Sequence, residues 1–141
     1  MPIAFDVASE GAGTNTTSLT FSHTCTGSDL ILIVGVTMND NTDLDRVLSG
    51  ITYAGAALTK IRTDDDATTN HTSELWYKIN PATGANNIVV TANAGAIATF
   101  KAGGISLTGV HQTSPIDAHN GDIQTDATSN SVSITTIADN C

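Results

Sequence analysis

Apolar residues in this chain come in short bursts, and within most bursts they alternate with polar residues at a period of two. The densest burst is Leu30-Ile-Leu-Ile-Val-Gly-Val36 and the residues up to Met38, bounded by Gly27-Ser28 before it and Asn39-Asp40-Asn41 after it. It is too short to cross a bilayer as a helix, which takes about 20 apolar residues, and it suits one strand buried on both faces or lying in the core of a sandwich. Before it, residues 3–7 predict a first short strand, and the glycine-containing stretch 9–15 predicts a flexible loop. Residues 18–24 alternate, with Leu19 and Phe21 on one face, and predict a half-exposed strand. After it, a short extended piece is expected to begin at Val47-Leu48. Residues 51–61 predict a hairpin turning at Ala54-Gly55-Ala56, where glycine supplies the positive φ of a tight turn.

Further along, residues 64–71 predict an acidic loop. Residues 73–80 predict a strand with Leu75, Tyr77 and Ile79 on one face and Trp76 and Lys78 on the other. A turn at 81–84 leads into a strand over 87–92. The segment 96–110 is apolar at both ends, and Gly103-Gly104 in its middle predicts a bulge or a bend between sheets. Residues 131–136 alternate once more. About eight or nine short strands result, at the turn spacing of a sandwich or barrel, and no helix-period segment exceeds two turns. The expected fold is all-β: an antiparallel two-sheet β-sandwich, jelly-roll or Ig-like Greek key, with 30–36 and 75–79 forming its core. At 141 residues the chain reads as a single domain, 1–141.

Composition agrees with the pattern. Thr is the commonest residue, and Asp supplies 12 of the 14 acidic side chains, with Glu10 and Glu74 the exceptions. Asp, Asn, Ser and Thr bond back to the local backbone and favour turns, and Thr also favours strands, whereas Glu, Lys and Arg serve helix surfaces. The formal net charge of −9, with five basic residues, argues against nucleic acid and against an anionic membrane surface as partners. No basic-plus-apolar signal segment opens the chain as given, and no membrane insertion is expected. Cys25 and Cys141 read as two unrelated thiols, with a disulfide between them the open alternative.

Several segments together resemble one β-sandwich module: Phe5-Asp-Val-Ala-Ser9, Ser18-Leu-Thr-Phe-Ser-His-Thr24, Leu30-Ile-Leu-Ile-Val-Gly-Val36, Ile51-Thr-Tyr-Ala-Gly-Ala-Ala-Leu-Thr-Lys60, Glu74-Leu-Trp-Tyr-Lys-Ile-Asn-Pro81 and the stretch from Gly104 to Asp117. Similar modules occur in phage and prophage structural proteins and in large secreted or surface proteins of bacteria. The resemblance implies a structural or adhesive role and brings no catalytic residues with it. It also implies further strands beyond residues 131–136, so the expectation is a fragment truncated at its C-terminal end, or an open edge filled by another chain through self-association.

Candidate chemistry is sparse. Asp40, Asp43 and Asp45, with Asn39 and Asn41, give one loop that has the oxygen donors for Ca²⁺, and Asp64, Asp65 and Asp66 give another. The first lacks the fixed glycine and bidentate glutamate of an EF-hand, and a solvated turn with Asx hydrogen bonds is its favoured reading; in the second, three adjacent carboxylates repel one another unless a cation is bound, though salt screens an exposed triplet. The histidines, His23, His71, His111 and His119, lack any metal-ligand spacing. No Gly-x-Ser-x-Gly elbow or recognisable carboxylate pair supports a hydrolase, so no catalytic residues are assigned and a non-enzyme is expected. Trp76 and Tyr53 are the candidates for a sugar-stacking platform, against a core role for Trp76. Two functions follow as expectations: a structural module of a virion or an extracellular or cell-surface assembly, and a carbohydrate-binding module that uses glycans and Ca²⁺.

Overall fold

A computed structural model of the chain describes residues 2–40, 46–66, 68–123 and 128–136. Nine strands form: β1 (Ala4–Thr16), β2 (Ser18–Cys25), β3 (Ile31–Asn39), β4 (Leu48–Tyr53), β5 (Ala56–Ala57), β6 (Thr59–Asp66), β7 (His71–Ile79), β8 (Gly84–Ala92) and β9 (Ile97–Thr108). They pair in two antiparallel sheets, a five-stranded one of order β1-β9-β3-β7-β6 and a four-stranded one of order β2-β8-β4-β5. Successive strands pass from one sheet to the other except at the β4-β5 and β6-β7 hairpins, and strands 1-9-3-7 face 2-8-4-5. That is a jelly roll, with β6 added beside β7 as an extra edge strand.

The apolar burst 30–36 becomes the central strand of the larger sheet. Leu32, Val34, Val36 and Met38 point inward, against Leu19, Phe21, Ile51, Ile88 and Val90 of the smaller sheet. Residues of β7 contribute differently from the expectation. Thr72, Glu74 and Trp76 are the buried members of that strand, while Leu75, Tyr77 and Ile79 are half-buried on the outer face of the sheet. The parity was right, but the polar-looking face is the one that enters the core.

Three further expectations need correction. The flexible loop predicted over 9–15 is strand, since β1 runs unbroken through Gly11 and Gly13 in register with β9. Gly11 is there for closeness: a Cβ on it would lie 2.7 Å from the Phe21 ring, so its hydrogen lets Phe21 pack against β1. Gly103-Gly104 makes no bulge or sheet change, because β9 pairs regularly through both with β1 and β3. A Cβ on Gly104 would meet Ile88 at 2.8 Å and come within 3.6 Å of the His23 ring, so the absent side chain makes room for an interior group. Residues 131–136 alternate in sequence but form no strand; Val132 and Ile134 lie exposed.

The hairpin at 54–56 forms as expected, with Ala54 at φ 50° and Gly55 at φ 78°. Only Ala56 and Ala57 pair back on β4 before the chain crosses to the other sheet as β6. No helix is present among the described residues, and so none is long and apolar enough to cross a membrane.

Candidate functional site

Alternation along β2 turns Leu19, Phe21, His23 and Cys25 to the interior, which places an imidazole in the core with 1% of its surface exposed. Two serines flank it. Ser9 Oγ of β1 lies 2.7 Å from His23 Nδ1, and Ser106 Oγ of β9 lies 3.0 Å from Nε2. Ser106 in turn donates to Asp6 Oδ2 at 2.7 Å. Because the Ser106 proton goes to Asp6, its oxygen must accept from His23, so Nε2 carries the ring proton and Nδ1 accepts from Ser9. The result is a directed chain from Ser9 through His23 and Ser106 to Asp6.

Electrostatics fit that assignment. Burial lowers the His23 pKa below its ordinary 6.5, partly opposed by the nearby Asp6 charge. Burial works to raise the Asp6 carboxyl, but hydrogen bonds from the Thr26 hydroxyl and amide and from Ser106 outweigh it, and Asp6 ends below its ordinary 3.8. Tyr53 stands edge-on to the His23 ring, 6.2 Å between centroids, and its hydroxyl reaches the carbonyls of Gly84 and His23 at 3.0 and 3.2 Å. Burial raises both the Tyr53 phenol and the neighbouring Cys25 thiol, which keeps that cysteine protonated and unreactive.

Serine, histidine and aspartate in one chain invite a comparison with nucleophilic catalysis, which needs the nucleophile, its base and a place for the reacting carbonyl. Here the Gly104 backbone passes close to Ser9 Oγ, since a Cβ on that glycine would lie 3.4 Å from the oxygen. Ser106 and His23 are both closed off from solvent. What the array does is join β1, β2 and β9 across the two sheets through groups whose hydrogen bonds are satisfied.

A second interior polar cluster sits on β7. Glu74, 2% exposed, accepts from Lys60 Nζ and the Leu48 amide, both at 3.0 Å, through Oε1, and from Trp76 Nε1 at 2.7 Å through Oε2. Lys60 also lies 5.0 Å from the Trp76 ring centroid. The carboxylate therefore ties the β6-β7 side of one sheet to the start of β4 in the other. Period-2 parity with Trp76 was the available signal for Glu74, as parity with Phe21 was for His23; reading each as an isolated residue type hid both.

The sequence-predicted sites fare differently. Trp76 and Tyr53 are 7% and 0% exposed, so neither ring presents a face on which a sugar could stack. Asp64, Asp65 and Asp66 lie on β6 and not in a loop. Consecutive strand residues point to opposite faces, and the three carboxylates take separate partners: Arg62 for Asp64, Thr72 for Asp65, and Thr68 and Thr69 for Asp66. Asp40 is buried and pairs with Arg46 at 2.5 Å. Asp43 and Asp45 lie outside the described residues, as does Cys141. Among the described residues no three histidine, cysteine, aspartate or glutamate side chains gather as metal ligands.

One surface feature remains, and it is apolar. On the outer face of the larger sheet, cross-strand pairing sets Phe5, Leu107, Ile31 and Ile79 in one row and Ala8, Ile105, Ile33 and Tyr77 in the next. The segment after β9 lies partly over this face. With Pro2 and Ile3 it borders an open groove of about 1090 Å³, into which Ile33, Leu107 and Ile116 project. No family model matches the chain, and no curated protein or solved structure does either.

Proposed function

We propose that this β-sandwich is a non-enzymatic structural module of an assembly, a virion or another extracellular structure, and that it acts by packing its outer sheet face and strand edges against neighbours. The observation that carries the reading is the apolar corner at the start of β1. Phe5 is 64% exposed on a chain of net charge −9, beside exposed Ile3 and Ile105 and next to the groove. Scattered surface apolar residues need no explanation, but a continuous patch rimmed by polar residues is typical of contact surfaces.

The interior supports the same reading from the other side. Its titratable groups are used up in cross-links between strands, which suits a scaffold that must hold a shape. The resemblance to phage and bacterial surface modules points the same way, though a jelly roll by itself hosts many functions. Sedimentation velocity over a wide concentration range tests the proposal. Association that weakens on Phe5→Ser, with an unchanged melting curve, is the expected result. A wild-type chain that stays monomeric at every concentration overturns it.

A further inference from the structure

The large apolar side chains exposed among the described residues fall into two groups. Ile3, Phe5 and Ile105 lie at the β1-β9 corner, and Ile123, Val132 and Ile134 lie on the segment that follows the last strand. The second group is held far from the first. A Cβ on Gly121 would collide with the Arg62 guanidinium, which places residue 121 against β6. Asn120 Nδ2 bonds the Ser133 carbonyl at 2.9 Å, and Asn130 Nδ2 bonds the Asp122 carbonyl at 2.8 Å, so residues 130–133 are tied beside 120–122. Strands β6 and β1 are the two edges of the same five-stranded sheet, four strand spacings apart, or about 19 Å.

From this geometry we infer that copies of the chain join head to tail, the 131–136 segment of one copy docking as an extended strand on the apolar corner and groove of the next. The inference rests on the assembly reading above and names its partner, a second copy. Val132 and Ile134 are two residues apart, so an extended backbone turns both to one side, toward a groove lined by Ile33, Leu107 and Ile116. Residues 128–136 contain no charged side chain, so this stretch approaches a like-charged copy with the least repulsion. The receiving edge, β1, carries only Asp6 and Glu10, and Asp6 is engaged by Thr26 and Ser106; the β6 edge bears Lys60, Arg62 and three aspartates, the charge density that discourages strand addition. Strand addition to an edge supplies backbone hydrogen bonds, and alternate side chains supply the fit.

Donor and acceptor are different surfaces, so the contact is heterologous. It propagates into rings or filaments instead of closing as a two-fold dimer. Two double variants at exposed positions test it: Ile3→Ser with Phe5→Ser blocks the acceptor, and Val132→Ser with Ile134→Ser blocks the donor. The expected result is that wild-type mass rises with concentration past twice the chain mass of 14.5 kDa, that each variant alone sediments as a monomer, and that their equimolar mixture stops at a dimer. Circular dichroism melts identical to wild type confirm that both variants fold. Wild-type association that the donor variant retains, or that ends at a symmetric dimer, overturns the inference and leaves the assembly reading standing. A wild-type monomer up to about 1 mM overturns both.

Discussion

His23 shows how one buried side chain makes the stability of this sandwich depend on pH. Its folded pKa lies below the ordinary 6.5, so the unfolded chain takes up the proton first as pH falls. The contribution of neutral His23 is therefore complete above pH 6.5 and declines below it, until the folded pKa is passed. Asp6 acts lower down: held below 3.8, it contributes stability above that value and loses it as pH falls further. The expected outcome is a lower urea midpoint at pH 5.5 than at 7.5, and a smaller difference in His23→Gln. That variant should also cost about 2 kcal/mol at pH 7.5, since buried Ser106 and half-buried Ser9 each lose a partner. Glu74 sets a second test at this scale. Glu74→Ala leaves the Leu48 amide and the Trp76 indole unpaired and takes the carboxylate from Lys60, and about 3–5 kcal/mol of unfolding free energy should be lost; Glu74→Gln, which keeps an acceptor, should lose less in the same denaturation experiment.

At the level of elements, the β4-β5 turn is the place where a local rule is broken. Ala54 sits at φ 50°, a left-handed conformation that costs a β-carbon about 1 kcal/mol, while Gly55 at φ 78° suits its position. Ala54 is exposed, so Ala54→Asn should raise stability by about 0.5–1 kcal/mol, read as a higher melting temperature, and Gly55→Ala should lower it. This turn was legible because its glycine lies between two alternating runs. The glycines of β1 and β9 were misread for a physical reason: a glycine that makes way for Phe21 or His23 from another strand looks, in sequence, the same as one that bends the chain. Residues 131–136 failed in the opposite sense. Their alternation specifies an amphipathic strand, but pairing needs a partner edge, and local pattern carries no information about where that edge lies. The candidate sites were hidden likewise, since Ser9, His23, Ser106 and Asp6 are brought together only by the sheet order, with Asp6 and Ser106 a hundred residues apart.

For the molecule as a whole, the balance between charge and apolar surface determines how copies meet. Each carries a formal net charge of −9, while the donor stretch 128–136 bears no charge and the acceptor corner carries Asp6, Glu10 and Asp29. Attraction at the contact then comes from apolar burial and backbone pairing, which salt does not weaken, and opposition comes from repulsion between whole molecules, which salt screens. Raising ionic strength from 0.01 M to 0.15 M shortens the screening length from about 30 Å to about 8 Å, less than the spacing between the two edges of the sheet. Association should therefore strengthen with added NaCl, and the weight-average mass at fixed protein concentration should climb across that range. An interface held by ion pairs has the opposite dependence. Static light scattering during a salt titration separates the two, and mass that falls with salt would place the contact on the charged β6 edge instead of the apolar corner of β1.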